Sequence, residues 1–230
     1  MTTLSRKLAA EFIGTTFLLA TVVGSGIMGA TLSQGNEGIA LLANASATAA
    51  ALFVLIAIFG PVSGAHFNPA VTLAMLLQGK LAPTEAMAYI AVQVMAAIAG
   101  VMLAHGMFGL APLQAGTHVR SGWPQWISEA VATFGLLLTI LMGVRHRPGA
   151  VPALVASYIF AAYWFTASTS FANPAVTLAR AFTQTFAGIR PADVAGFVAA
   201  QTAGLAAAVL ALRFVLPAGR RDPATTAVPP

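Results

Sequence analysis

The sequence predicts an all-α membrane protein in which six transmembrane helices and two re-entrant half-helices form an inverted repeat. Three observations support this fold class: an apolar composition, six apolar stretches of membrane-spanning length, and a seven-residue motif that occurs twice. The composition alone argues against a water-soluble domain. Of the 230 residues, 58% are hydrophobic and only 7% are charged, whereas about 25% of the residues of a soluble domain are charged.

Six apolar stretches are long enough to cross the ~30 Å hydrocarbon core of a bilayer as helices. The predicted spans are residues 8–28, 39–59, 84–108, 126–144, 150–168 and 194–216. The first stretch carries Glu11 and has no small-residue cleavage site behind a short apolar core. We therefore expect it to be a retained helix and not a signal peptide.

Lysine and arginine fall unequally on the two sides of these spans. With the N-terminus inside, the cytoplasmic set is Arg6, Lys7, Lys80, Arg145, Arg147, Arg213, Arg220 and Arg221, and the outer set is Arg120, Arg180 and Arg190. Because cytoplasmic loops carry the excess of cations, we expect both termini in the cytoplasm and the chain in the inner (plasma) membrane. The net charge of +5 is then mostly a topology signal, and we expect no nucleic-acid partner.

Three features recur in the same order in both halves of the chain. They are a glutamate at the start of a span (Glu11 and Glu129), the motif NPAVTLA (68–74 and 173–179) and a glutamine within a span (Gln93 and Gln201). Each half holds three spans, so the second copy must enter the membrane from the opposite side. This predicts inverted repeats over about 4–108 and 125–216, with the functional site where the copies meet near the midplane.

A short apolar run follows each NPA triplet, near 68–78 and 173–183. Each run is about 16 Å long as a helix, roughly half a membrane. Irregular backbone at membrane depth persists only where protein buries it or a water-filled cavity satisfies it. We therefore predict that each preceding segment dips into the membrane and returns as a half-helix, capped by Asn68 or Asn173 with proline at the first helical position.

The predicted constriction consists of the two triplets, Asn68, Pro69, Ala70, Asn173, Pro174 and Ala175. Inverted symmetry points the two half-helix N-termini at each other, and each carries about half a positive charge from its aligned peptide dipoles. The asparagine NH₂ groups are expected to remain as donors that face the cavity. Such a constriction suits a neutral solute that bears oxygen and disfavours cations and protons.

The titratable residues argue against an enzyme and against a coupled transporter. The chain has no cysteine, and its four histidines are scattered without metal-ligand spacing, so we expect no metal, no cofactor and no enzymatic activity. A coupled transporter also uses inverted repeats and broken helices. Coupling requires titratable or ion-binding groups beside the site, where this sequence offers amides and hydroxyls.

These motifs resemble those of the aquaporin, or major intrinsic protein, family, and the resemblance covers nearly everything from about residue 4 to 216. It implies a passive channel for water and small neutral solutes, assembled as a homotetramer with one pore per subunit. It also implies one channel domain over 1–218, and we expect the polar, proline-rich residues 219–230 to form a disordered cytoplasmic tail. Glu11 and Glu129 resemble the family's buried glutamates that hold the re-entrant loops by accepting backbone N–H bonds.

The resemblance places a narrow filter at Thr48, Ala161, Ser170 and Val176. Water-selective members have an aromatic residue, a histidine and an arginine in this filter, and glycerol-type members usually keep the arginine. Here Val176 stands at the arginine position. The filter should therefore be wider and should lack the fixed cation that repels positive ions.

Valine with small filter partners resembles a bacterial branch of the family that is linked to arsenic resistance. That resemblance implies passage of uncharged metalloid hydroxides such as arsenous acid, and of methylated arsenic species. The alternative is a general pore for water, glycerol and other small solutes.

Arg180 has no place in the family pattern. It lies four residues after Val176 and shares that face of the half-helix, one turn further out, while its counterpart in the first copy is Met75. We hypothesise that Arg180 places a positive charge at the outer mouth and partly replaces the filter arginine. The alternatives are a cap on the half-helix C-terminus or a side chain that snorkels to lipid headgroups. Tyr163 is interpreted as a helix-packing residue.

Overall fold

Eight α-helices make up the part of the chain that this computed structural model describes, residues 3–215. In chain order they are α1 (Leu4–Leu32), α2 (Glu37–Ser63), α3 (Pro69–Leu77), α4 (Pro83–Met107), α5 (Trp123–His146), α6 (Val151–Phe165), α7 (Pro174–Arg180) and α8 (Val194–Val215). A 3₁₀ turn precedes α6 and another precedes α8. The predicted tail at 219–230 lies outside the described residues.

Six helical segments are long and apolar enough to cross a membrane: α1, α2, α4, α5, α6 together with its preceding 3₁₀ turn (Pro148–Phe165), and α8 together with its own (Pro191–Val215). The other two, α3 and α7, have nine and seven residues and reach only part of the way at ~1.5 Å per residue. Residues 3–215 contain no β-strand. The predicted fold class is therefore confirmed.

Six crossings bring Leu4 and Val215 to the same face of the membrane, which we call the terminal face. The α4–α5 loop, residues 108–122, lies on the opposite face, which we call the loop face. Helix α7 leads towards the loop face, where Gly116 of this loop donates its N–H to the carbonyl oxygen of Ala181 at 2.8 Å. Helix α3 leads in the opposite direction, since α4 begins shortly after it on the terminal face.

The long helices pack in two groups that meet along the pore. Helix α1 packs against α2 and α4, α5 packs against α6 and α8, and α2 contacts α6 between the groups. A Cβ atom at Gly100 would collide with the carbonyl oxygen of Thr16, and one at Gly204 with that of Ala130. In lipid no hydrophobic force drives helices together, and small residues at the contact let the backbones approach closely enough to pack.

The distribution of side chains is that of a protein in lipid. Large apolar side chains lie on the outside, among them Phe17, Phe53, Ile58, Trp123 and Phe165. Fully buried polar side chains lie in the interior, among them Glu11, Gln93, Glu129 and Gln201. The interior polar groups collect around α3 and α7, where the site is found.

Candidate pore

Asn68 and Asn173 cap the two half-helices with their side-chain oxygens. Oδ1 of Asn68 accepts the N–H of Ala70 at 2.8 Å, and Oδ1 of Asn173 accepts those of Ala175 and Val176 at 3.0 and 3.2 Å. Each asparagine is followed by a proline at the first helical position, where a missing N–H removes no helical bond.

The two asparagine amides also tie the halves of the molecule together. Nδ2 of Asn68 donates to the carbonyl oxygen of Ala172, and Nδ2 of Asn173 donates to that of Phe67, both at 2.8 Å. The expectation that the whole NH₂ groups stay free for the cavity is therefore corrected. One hydrogen of each amide holds the opposite loop, which leaves the second for the cavity that both asparagines line.

The loops before both asparagines follow the same unusual backbone path. Ala65 and Phe67 have φ of 50° and 49°, and Ser170 and Ala172 have φ of 51° and 46°. These residues stand three and one positions before their asparagine in both copies. A left-handed conformation costs a non-glycine residue about 1–3 kcal/mol, so each loop needs an external support.

Glu11 supports the first loop with four hydrogen bonds. Its carboxylate accepts the N–H of His66 at 2.9 Å, that of Phe67 at 2.7 Å, the hydroxyl of Ser63 at 2.7 Å and Nε2 of Gln93 at 2.9 Å. A bond to a charged group contributes about 1.5–3 kcal/mol. Four such bonds outweigh the ~2.5–3.5 kcal/mol cost of placing the carboxylate in the membrane.

Glu129 supports the second loop in the same way. Its carboxylate accepts the N–H groups of Phe171 and Ala172 at 2.8 and 2.9 Å, and Nε2 of Gln201 at 2.6 Å. Gln201 also donates to Oγ1 of Thr177 in α7 at 2.8 Å. Both carboxylates are thus saturated with donors behind the loops, and neither lines the cavity.

A cavity of about 70 Å³ runs past the two half-helices. Its lining includes Thr48, Leu52, His66, Asn68, Val155, Ile159, Tyr163, Ser170, Asn173, Val176 and Arg180. Within residues 3–215 its lining contains no aspartate or glutamate. It is therefore a passage with amide, hydroxyl and apolar walls and one cation.

Three of the four filter positions lie on this cavity. Thr48, Ser170 and Val176 are all buried and all line it. Oγ of Ser170 is buried and has no hydrogen-bond partner among the described residues. An unpaired buried hydroxyl is costly, and a water molecule or solute in the cavity would satisfy it.

The fourth predicted filter residue, Ala161, does not line the cavity, and this prediction is wrong. Its side chain is exposed on the outside of α6. The cavity is lined instead by Val155, Ile159 and Tyr163, which repeat every four residues and share one helix face. Ala161 lies midway between Ile159 and Tyr163 and so faces the other way.

Tyr163 is a pore residue, and its interpretation as a packing residue is corrected. Its ring lines the cavity, and its hydroxyl donates to Oγ1 of Thr48 across a distance of 3.3 Å. The contact joins α6 to α2.

Arg180 lies inside the protein and not at the membrane surface. Its side chain is 2% exposed and lines the cavity. Nε donates to the carbonyl oxygen of Ala187, and the guanidinium carbon lies 3.4 Å from the ring centroid of Phe171. The snorkelling alternative is therefore wrong. Arg180 does lie in the last turn of α7, where the helix dipole favours a cation, so the capping alternative stands beside the pore-lining role.

Arg120 is a neighbour of this site that the sequence did not reveal. It comes from the α4–α5 loop, and its guanidinium carbon lies 5.0 Å from the ring centroid of Phe171. Nε donates to the carbonyl oxygen of Gly188 at 3.0 Å, and Nη1 to that of Ser168 at 3.3 Å. These partners are 68 and 48 positions away in sequence, and no local pattern points to them.

Comparison with known proteins agrees with this architecture. The family model described as major intrinsic protein matches residues 1–167. The chain belongs to the major intrinsic protein family. Aquaglyceroporin AqpS of Rhizobium meliloti (strain 1021) is 55% identical to this major intrinsic protein over 217 residues, which cover 94% of this chain and 93% of that protein. Aquaporin PIP2-4 of Oryza sativa subsp. japonica is 32% identical over 166 residues, 64% of this chain and 56% of the rice protein.

A solved structure of another major intrinsic protein has the same fold. The X-ray structure of the aquaglyceroporin from Plasmodium falciparum superposes with a TM-score of 0.72 over 92% of this chain and 95% of that chain, at 19% identity. The chain is thus a multi-pass membrane channel for small solutes and not an enzyme.

Proposed function

We propose that this major intrinsic protein passively conducts small uncharged metalloid hydroxides, arsenous acid and methylated arsenic species, through a wide filter without its usual arginine. The observation that carries the proposal is Val176. This side chain lines the cavity directly behind the second NPA triplet, where the family usually places the arginine.

The chemistry of the cavity wall suits such solutes. Ser170 and Thr48 offer hydroxyl groups, while Val176 and Ile159 offer an apolar surface. Arsenous acid is neutral at physiological pH and carries three hydroxyl groups, so it resembles a small polyol. A methyl substituent on arsenic would contact valine without leaving a polar group unpaired.

The alternative is a general facilitator for water, glycerol and similar solutes. The relative from Rhizobium meliloti is named an aquaglyceroporin, and this name favours the alternative. The free hydroxyl of Ser170 would serve glycerol as well as arsenous acid, so the two functions differ only in relative rates.

The remaining parts of the proposal concern roles and assembly. We assign the constriction to both NPA triplets and loop support to Glu11 and Glu129. The chain is assigned to one channel domain with repeats over about 4–108 and 125–216. We assign it to the inner membrane with cytoplasmic termini, as a homotetramer with one pore per subunit. The apolar outer surface, which includes Phe17 and Phe53, suits both lipid and neighbouring subunits.

The test is a stopped-flow comparison of solute flux in proteoliposomes. Water, glycerol, arsenite and a methylated arsenical are measured for the natural chain and for Val176→Arg. We expect arsenical flux in the natural chain and a loss of about tenfold or more in the variant, because a long cation enters a passage whose width now depends on valine. If glycerol passes freely while the arsenic species do not, the metalloid assignment is wrong and the general facilitator stands.

A further inference from the structure

A buried arginine without an anionic partner lines the pore. Arg180 is 2% exposed, and the ion pairs among residues 3–215 are Lys7–Glu85 and Arg190–Asp193, neither of which involves it. Its contacts are one carbonyl oxygen and the face of Phe171. A buried charge is strongly unfavourable unless it is paired and hydrogen-bonded. The fold retains this one facing the cavity, where water can solvate it.

A second cation reinforces the first. Arg120 lies over the same Phe171 ring, and rings attract cations through their electron-rich faces. Both arginines are anchored by backbone carbonyl oxygens and not by carboxylates. The ring and the carbonyl groups therefore fix two positive charges beside one pore mouth.

The nearby carboxylates do not cancel these charges. Glu129 lies within electrostatic range of both arginines, but its oxygens are engaged by the second loop and Gln201. Asp193 accepts the backbone N–H of Arg120 at 2.8 Å and pairs with Nη2 of Arg190 at 2.7 Å. Neither carboxylate forms an ion pair with the guanidinium of Arg120 or Arg180, so within the described residues both charges beside the pore stay without a paired anion.

We propose that Arg180 is the cation barrier of this pore, placed one helical turn outside Val176, and that Arg120 is a positioning residue that holds the Phe171 ring against which Arg180 packs. The inference rests on the proposed channel function, and it identifies what excludes inorganic cations such as K⁺ and Na⁺. The displacement separates two tasks: the filter beside Val176 stays wide for neutral solutes, while the charge acts at the mouth. Arg180 and the free hydroxyl of Ser170 also offer hydrogen bonds to the hydroxyl groups of an arriving solute.

The test compares cation conductance with solute flux in the same proteoliposome preparations. The variants are Arg180→Gln, Arg180→Lys and Arg120→Gln, and the matched control is Arg190→Gln, which removes a loop-face cation that does not line the cavity. We expect Arg180→Gln to raise K⁺ conductance by about tenfold or more, because a unit charge in a partly buried site imposes a large barrier on a passing cation. Arg180→Lys and Arg190→Gln should stay tight to K⁺, and Arg120→Gln should leak to an intermediate extent.

A charge returned to the filter separates an electrostatic role from a structural one. The double variant Val176→Arg with Arg180→Gln restores a cation one turn deeper, and we expect it to be tight to K⁺ again. If Arg180→Gln still passes neutral solutes and remains tight to K⁺, the inference is overturned. If Arg180→Gln fails to fold, Arg180→Lys decides, because a K⁺ leak in that charged variant also overturns it.

The readouts keep this inference apart from the proposed solute. Absent arsenical flux in the natural chain, together with a K⁺ leak in Arg180→Gln, rejects the metalloid assignment and supports the cation barrier. Normal arsenical flux in the natural chain, together with an Arg180→Gln variant that stays tight to K⁺, supports the metalloid assignment and rejects the cation barrier.

Discussion

Three side chains of α6 form one wall of the cavity that Val176 also lines. Val155, Ile159 and Tyr163 follow one another a turn apart and all line the cavity, whereas Ala161 points outwards. Ile159 is 6% exposed. The space that a solute meets in the cavity therefore depends on these side chains as well as on Val176.

Enlarging Ile159 should close the pore, and enlarging its neighbour should not. We expect Ile159→Trp to reduce glycerol flux by about tenfold or more, because an indole in a filled pore excludes solute as well as water. Ala161→Trp is the matched control, since its side chain lies on the outer surface. Stopped-flow light scattering on proteoliposomes measures both. Equal losses in the two variants would show that the cavity face of α6 is misassigned.

The residues of the pore differ in how well a sequence can locate them. Asn68 and Asn173 are predictable because Asn-Pro has a local meaning at a helix start. Ser170 and Val176 can also be located from the sequence, because each lies three residues from Asn173 at the start of α7. Ala161 fails because spacing from a motif on another element does not fix how α6 is rotated about its axis.

At the scale of helices, close packing at glycine joins the elements. In α4, Gly100 faces the backbone of α1, and a Cβ there would meet both the carbonyl oxygen of Thr16 and the side chain of Leu19. A Cβ at Gly106, in the same helix, would meet no neighbouring atom within 4 Å. Substituting alanine at Gly100 therefore tests helix–helix packing, whereas the same substitution at Gly106 tests helix propensity alone.

Alanine at these two positions should have opposite effects. Gly100→Ala must push α1 and α4 apart, and overpacking of this kind costs about 1–3 kcal/mol. Gly106→Ala should be neutral or stabilise by up to about 1 kcal/mol, because alanine favours the helix. Thermal unfolding in detergent, followed by the Tm, measures both. Equal Tm values for the two variants would contradict the close approach of α1 and α4.

The elements themselves are largely predictable from hydropathy, with one informative difference. The apolar run after the second NPA triplet predicts a half-helix to residue 183, but α7 ends at Arg180. The next residues turn back and bond to the α4–α5 loop, with Gln114 donating its N–H to the carbonyl oxygen of Phe182 at 3.0 Å. This long-range pairing competes with helix extension, and hydropathy carries no information about it.

At the scale of the whole molecule, the distribution of cations predicts the orientation in the membrane, and accessibility tests it. The chain has no cysteine, so single cysteines can be introduced without background. Thr117 is exposed on the loop face and Gln78 is exposed on the terminal face. We expect a membrane-impermeant maleimide added to intact cells to label Thr117→Cys and not Gln78→Cys. Labelling of both variants after permeabilisation is the control, and the reverse pattern in intact cells would invert the orientation.

The count of lysines and arginines on each side predicts the orientation of the chain but not the role of each individual side chain. Arg120 and Arg180 enter that count as outward-facing residues, yet the structure places them around Phe171 beside the pore. Arg190, the third of the set, pairs with Asp193. What a cation does at the loop face depends on contacts between distant segments, which composition cannot supply.

The paired amide bonds of the two asparagines impose an order on biosynthesis. The bonds from Asn68 to Ala172 and from Asn173 to Phe67 join positions 104 and 106 residues apart. A nascent polypeptide leaves the ribosome with its first asparagine long before the receiving carbonyl group exists. The first half must therefore enter the bilayer while the Asn68 amide still lacks its hydrogen-bond acceptor. A chain truncated before the second loop can never form the complete pore.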